Sequence, residues 1–146
     1  MEKTYVMIKP GFDNKSKEIF NFILKKLWEK GDKNVSISHI KSFKLTPKQC
    51  DEHYAHLIGK DFYPHLKQYM LSGNVVAAIV EGKDIVNRVL EICGATKDPA
   101  EGTVRYEFGF GDVTRNVIHR SDSVEAANAE IKRFYGSMRD VEPDSF

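Results

Sequence analysis

Val75-Val76-Ala77-Ala78-Ile79-Val80-Glu81 is apolar at nearly every position, and its reading decides the fold. An apolar run this short is the pattern of a strand buried in the middle of a sheet. Before it, Pro64–Leu71 reads as a short helix. A longer helix starts at Thr46-Pro47, a hydroxyl cap followed by proline at the first helical position, and runs to about Leu57. Val35–Leu45 alternates as a strand. Ile19, Phe20, Ile23, Leu24 and Leu27 keep helical spacing between a Ser16 cap and Gly31. Thr4–Lys9 is a strand stopped by Pro10-Gly11. After the central run, Asp84 caps a helix through about Cys93. Gly94–Arg115 has no sustained period and reads as one long ordered loop, of a length that is usually functional. Asn116–His119 is a short strand. Asp122 or Ser123 caps a last helix, Val124–Phe134, and Gly136–Phe146 is polar and peripheral.

This alternation predicts an α+β fold, with a small antiparallel sheet and helices covering one face. Its skeleton fits a ferredoxin-like β-α-β-β-α-β sandwich, with extra helices and the long loop added. With 146 residues and 41% apolar composition, the chain is long enough for one core and too short for two, so residues 1–146 form a single domain. The formal net charge of +1 favours neither nucleic acid nor membrane as the main partner. The sequence contains no 18-residue apolar stretch and no apolar leader after Met1, which predicts a soluble, cytoplasmic protein. Cys50 and Cys93 are expected to be reduced, and neither has metal-ligand spacing.

One stretch points to chemistry: Asn116-Val117-Ile118-His119-Arg120-Ser121-Asp122-Ser123, with Glu130 in the helix that follows. A lone histidine at the end of a strand is more often structural than catalytic. Here hydroxyl, amide and carboxylate residues surround it in register, which makes it a nucleophile candidate. Neutral imidazole has a nucleophilic nitrogen, and a neighbouring acceptor can orient the ring through its other nitrogen. Sequence alone leaves open which nitrogen attacks. The remaining histidines, His39, His53, His56 and His65, have no such setting and read as surface or structural. No tight carboxylate cluster offers a cage for a divalent ion, and no Walker-type or dinucleotide-binding glycine motif is present.

The His119 run resembles the active-site signature of the nucleoside diphosphate kinase family. Met7-Ile8-Lys9-Pro10, Gly94-Ala95-Thr96 and Gly102-Thr103-Val104-Arg105 match further family motifs, as do His53-Tyr54 and Phe62-Tyr63-Pro64. The resemblance covers nearly the whole chain. It implies ping-pong transfer of the γ-phosphate of a nucleoside triphosphate to a nucleoside diphosphate through phospho-His119. It further implies that Glu130, Ser121 and Tyr54 orient the ring, and that Lys9, Thr96 and Arg105 bind phosphate, Arg105 by forking two oxygens. Asn116 and Lys9 would bond the ribose hydroxyl. Phe62 would stack on the base, with Leu66 lining the same groove. Stacking on one aromatic face tolerates every base. Mg²⁺ would arrive on the nucleotide phosphates and keep several waters. The assembly implied is a homo-tetramer or hexamer.

Five departures from the family pattern stand out. The segment after Pro10 is shortened. Leu90 stands where the family has a second phosphate-binding arginine. Arg88 is assigned to that contact, on the condition that the helix register shifts. Lys97–Glu101 is shortened, Thr114 replaces a glycine, and Arg120 replaces the glycine after the histidine. These motivate an alternative reading, a nucleotide-binding or regulatory homologue with weak or no exchange activity.

Overall fold

A computed structural model describes residues 1–136, so the tail expected from Gly136 to Phe146 lies, beyond its first residue, outside the described residues. Four strands form one antiparallel sheet in the order β2-β3-β1-β4. They are β1 (Glu2–Ile8), β2 (Ser36–Phe43), β3 (Val75–Gly82) and β4 (Ile118–Arg120). Helix α1 (Ser16–Glu29) joins β1 to β2, and α2 (Pro47–His53) and α3 (Tyr63–Met70) lie between β2 and β3. Helices α4 (Ile85–Cys93) and α5 (Val104–Phe108) precede β4, and α6 (Val124–Tyr135) follows it. This is the ferredoxin-like skeleton with additions.

The apolar run at Val75 is an inner strand, as its composition requires. Successive side chains point to opposite faces, so β3 feeds two cores. Val76, Ala78 and Val80 join Val6 and Ile8 against α1 and α4. Val75, Ala77 and Ile79 join Tyr5 and Met7 against α2, α3 and α6. The skeleton's two helices, α1 and α4, thus cover one face as expected, with α5 beside them, and α2, α3 and α6 cover the other. The α1 stripe Ile19, Phe20, Ile23, Leu24, Leu27 is wholly buried.

Several boundaries differ from the sequence reading, each for a local reason. Ser16 does not cap α1: a 3-10 turn at Asp13–Lys15 leads in, and Ser16 is the first helical residue. Asp84 has φ 51° and makes no side-chain cap. The Val86 amide in the first turn of α4 donates instead to Glu2 Oε2 at 3.0 Å, a partner from the start of the chain. Strand β2 breaks register between Ser38 and Lys41, with His39 at φ 57°. The helix from Thr46 does form its capping box, Thr46 with Gln49, but it ends at His53 and a separate 3-10 turn spans Ala55–Leu57. The long loop contains α5, which is too short to show a period in sequence. Thr103 Oγ1 caps it by accepting from the Tyr106 amide.

Candidate active site

A cleft of about 540 Å³ opens beside the edge strand β4. His119 stands in β4 opposite Met7 of β1, and its side chain is 17% exposed. Its Nε2 lies 2.9 Å from Glu130 Oε1. That carboxylate is fixed by the Ser121 hydroxyl, which donates to Oε1 at 2.7 Å and accepts from the Tyr5 amide at 3.2 Å. Burial pushes the Glu130 carboxyl up, but the hydrogen bond and charge of His119 and the Ser121 hydroxyl outweigh it and hold the group below its ordinary value. An ionised carboxylate can only accept, so Nε2 carries the proton and Nδ1 keeps its lone pair. Burial lowers the His119 pKa, against the opposing pull of Glu130. The ring is therefore neutral near pH 7, with Nδ1 as its nucleophilic atom.

The chain enters β4 through a strained turn. Val117 is β-branched yet has φ 78°, and the Ile118 amide donates to Asn116 O at 3.0 Å across it. This turn displaces the strand from the expected Asn116–His119 to Ile118–Arg120. It also gathers the cations. Lys9 lies just past the end of β1, 6% exposed, and donates through Nζ to Asn116 Oδ1 at 2.7 Å and Thr114 O at 3.2 Å. Burial first, then the Arg105 and Arg120 guanidiniums, lower its pKa to about 7. Asn116 also donates through Nδ2 to Val113 O, so its amide is committed at both ends.

Arg105 reaches the cleft from α5, but most of its donors are taken. Nε donates to Asn116 O, Nη1 to Gly94 O and Thr96 Oγ1, and Nη2 to Ile118 O at 2.7 Å. Four of five N–H groups are engaged, three of them on backbone carbonyls. The expected fork onto two phosphate oxygens is not available in this arrangement. Arg105 ties α5, the Gly94 turn and β4 together and offers its charge with one remaining donor. Gly94 makes the tie possible: its φ is 89°, and a Cβ there would meet Thr103 Oγ1 at 2.6 Å.

Tyr54, Phe62 and Leu66 also line the cleft. Phe62 is 54% exposed, Leu66 is buried, and the buried Tyr54 hydroxyl has no partner among the described residues. Tyr54 contacts the His119 ring through His53. His53 packs edge-on to Tyr54 at 4.7 Å and to His119 at 4.3 Å between ring centroids. His53 reads from sequence as surface or structural; it is buried behind His119, a place that no local pattern encodes. Arg133 Nη1 donates to His53 Nδ1 at 3.1 Å, and burial holds the His53 pKa down at about 2, so the ring stays neutral. His56, Leu57, Val113, Thr114 and Arg120 also line the cleft, and none of the first four carried a sequence signal.

The comparisons with known proteins identify the family. The family model for nucleoside diphosphate kinase matches residues 2–139. The chain belongs to the nucleoside diphosphate kinase family. It is 39% identical over 146 residues to a nucleoside diphosphate kinase of Desulforamulus reducens, covering 99% of this chain and 94% of that protein. A nucleoside diphosphate kinase of Saccharomyces cerevisiae is 38% identical over 136 residues, covering 92% and 85%. Among solved structures, the apo nucleoside diphosphate kinase of Encephalitozoon cuniculi superposes with a TM-score of 0.81 at 33% identity, covering 99% of this chain and 95% of that one. The enzyme of Halobacterium salinarum in complex with CDP gives 0.78 at 32% identity, covering 93% and 88%.

Within the kinase fold, Arg88 does not take the phosphate contact assigned to it. It pairs through Nη1 with Asp32 Oδ2 and with Lys83 O, in a hollow lined by Lys30, Asn34 and Met1. The α4 register has not shifted, so Arg88 points away from the cleft. As for metal, among the described residues no carboxylate lines the cleft. His53, His119 and Glu130 do bring ligand atoms within 4.8 Å of one another. Their nitrogen-rich set does not suit Mg²⁺, which prefers oxygen, and the Nε2–H to carboxylate bond already accounts for two of the three. The site fits a hard cation carried in on phosphate oxygens.

Proposed function

We infer that this nucleoside diphosphate kinase carries the transferred phosphate on Nδ1 of His119. The supporting observation is the Ser121–Glu130–His119 chain, which places the ring proton on Nε2 and the lone pair on Nδ1. Nδ1 attacks the γ-phosphorus, the bond to the β–γ bridging oxygen breaks, and the diphosphate leaves with the electron pair. The ring gains positive charge as the N–P bond forms, and Glu130 stabilises that charge through Nε2–H. A second diphosphate reverses the steps: its terminal oxygen attacks phosphorus and the electron pair returns to Nδ1. Lys9 and Arg105 offset charge on the phosphoryl oxygens, so positioning and electrostatics supply most of the catalysis. Thr96 and the unpartnered Tyr54 hydroxyl add neutral donors. Asn116, with Lys9, faces the ribose hydroxyl. The half-exposed Phe62 gives the base an apolar platform beside Leu66 with little to read its edges, which favours broad base tolerance.

Mg²⁺ belongs to the same reading. When bound to the phosphates it spreads their charge, and this chain's part is to leave it room. The partners are nucleoside di- and triphosphates, with no nucleic acid and no membrane. No helix among the described residues is long and apolar enough to cross a membrane. A cytoplasmic compartment, a single domain over residues 1–146 and a homo-oligomer complete the proposal.

The test is labelling with γ-labelled Mg·ATP. The unchanged chain is expected to take up an acid-labile, base-stable label and lose it to an added diphosphate, while His119→Ala takes up none. Continued exchange by His119→Ala would overturn the mechanism. Nucleotide binding without label in the unchanged chain would instead favour a nucleotide-binding homologue.

A further inference from the structure

We propose that Arg120 is a ligand for the nucleotide's outer phosphates, those beyond the one attached to the ribose. The identity of the ligand rests on the phosphotransfer reading above; the argument for the residue rests on how its donors are used. Among the described residues three cations line the cleft: Lys9, Arg105 and Arg120. Lys9 bonds Asn116 and Thr114, and Arg105 has one N–H to spare. Arg120 is the least committed. Among the described residues its hydrogen-bond partner is Asp122, reached by Nη1 at 3.0 Å. That carboxylate is 79% exposed, so the pair is weak and easily exchanged. Arg120 Nε is buried and has no partner among the described residues, although the side chain is only 18% exposed. A buried donor left unpaired is unfavourable, so little holds the guanidinium in this rotamer and a stronger acceptor in the cleft can draw it over. A guanidinium held at one corner presents the rest of a planar fork, which matches phosphate oxygens.

Charge points the same way. Among the described residues no carboxylate lines the cleft, and Arg105 and Arg120 each depress the Lys9 ammonium. A polyanion relieves that mutual repulsion, and a single charge does so less. Arg88 cannot share the task, because it is held by Asp32 outside the cleft. The position also selects the phosphate end of the ligand. Arg120 lines the same cleft as His119 and Lys9, the residues assigned above to the transferred phosphate.

The experiment compares the unchanged chain with Arg120→Ala, Arg120→Gln and Arg120→Lys. ADP and AMP affinities are measured by calorimetry, and the rate of His119 labelling by Mg·ATP is measured in parallel. Arg120→Ala and Arg120→Gln are expected to lower ADP affinity and labelling rate by about 10- to 100-fold. AMP affinity should change by less than about twofold, and Arg120→Lys should recover part of the loss. If Arg120→Ala fails to fold, the Gln and Lys variants decide. Unchanged ADP affinity and labelling would overturn the proposal, and so would equal losses for AMP and ADP, which mark a structural role. If the unchanged chain binds ADP but takes no label, the transfer reading fails, and the ADP-to-AMP comparison still decides Arg120 by itself.

Discussion

Lys9 is charged against its surroundings, which links the site to pH. Burial and two guanidiniums lower its pKa from 10.5 to about 7. Between those values the unfolded chain keeps a proton that the folded chain has released. This residue's contribution to stability therefore rises with pH across that window and is least favourable below it. Lys9→Met is expected to stabilise the empty protein at pH 7 and to remove this slope, as read by urea midpoints at several pH values. The same variant should bind nucleotide more weakly. Above pH 7, nucleotide binding to the unchanged chain should take up a proton, because phosphate oxygens raise the Lys9 pKa again. Calorimetry in buffers of different ionisation enthalpy measures that uptake, and proton release would count against it. His119 was legible as a candidate nucleophile from its neighbours. Its tautomer was not, because that depends on the distance to a carboxylate one helix away. Arg105 was legible as a site residue but not as a tie, since its carbonyl partners come from the Gly94 turn and from β4. Arg88 illustrates the opposite case, a residue type right for the task and a helix face wrong for it.

At the level of elements, the cleft depends on the short pieces that sequence periodicity could not see. Helix α5 is five residues long, and it stands on a Thr103 cap and on the Arg105 bonds to Gly94 and β4. Gly94→Ala tests that construction. The substitution meets Thr103 and requires a positive φ, so it should destabilise by about 1–3 kcal/mol. It should also weaken nucleotide binding by moving Arg105, and a variant with wild-type urea midpoint and affinity would refute the argument. The longer elements behaved differently. The α1 stripe, the β3 run and the Thr46-Pro47 start were readable because many residues repeat one requirement. The break of the predicted Thr46–Leu57 helix at Tyr54 was not readable, since His53 turns toward partners supplied by α6 and β4.

For the molecule as a whole, net charge gave little warning of the site. A formal +1 is spread over the surface, while three cations converge on one cleft. Assembly is expected to follow the family resemblance, a tetramer or hexamer on size exclusion with light scattering; a monomer across micromolar concentrations would remove that expectation. The sequence by itself determined the four strands, the longer helices and His119 as the candidate nucleophile. Those rest on local periodicity and on residue types needed for one chemistry. Only the tertiary structure decided which face each extra helix covers, which imidazole nitrogen is free and which arginine still has donors to give. Each of these depends on atoms that meet across the sheet from distant parts of the chain, and no local pattern encodes such a meeting.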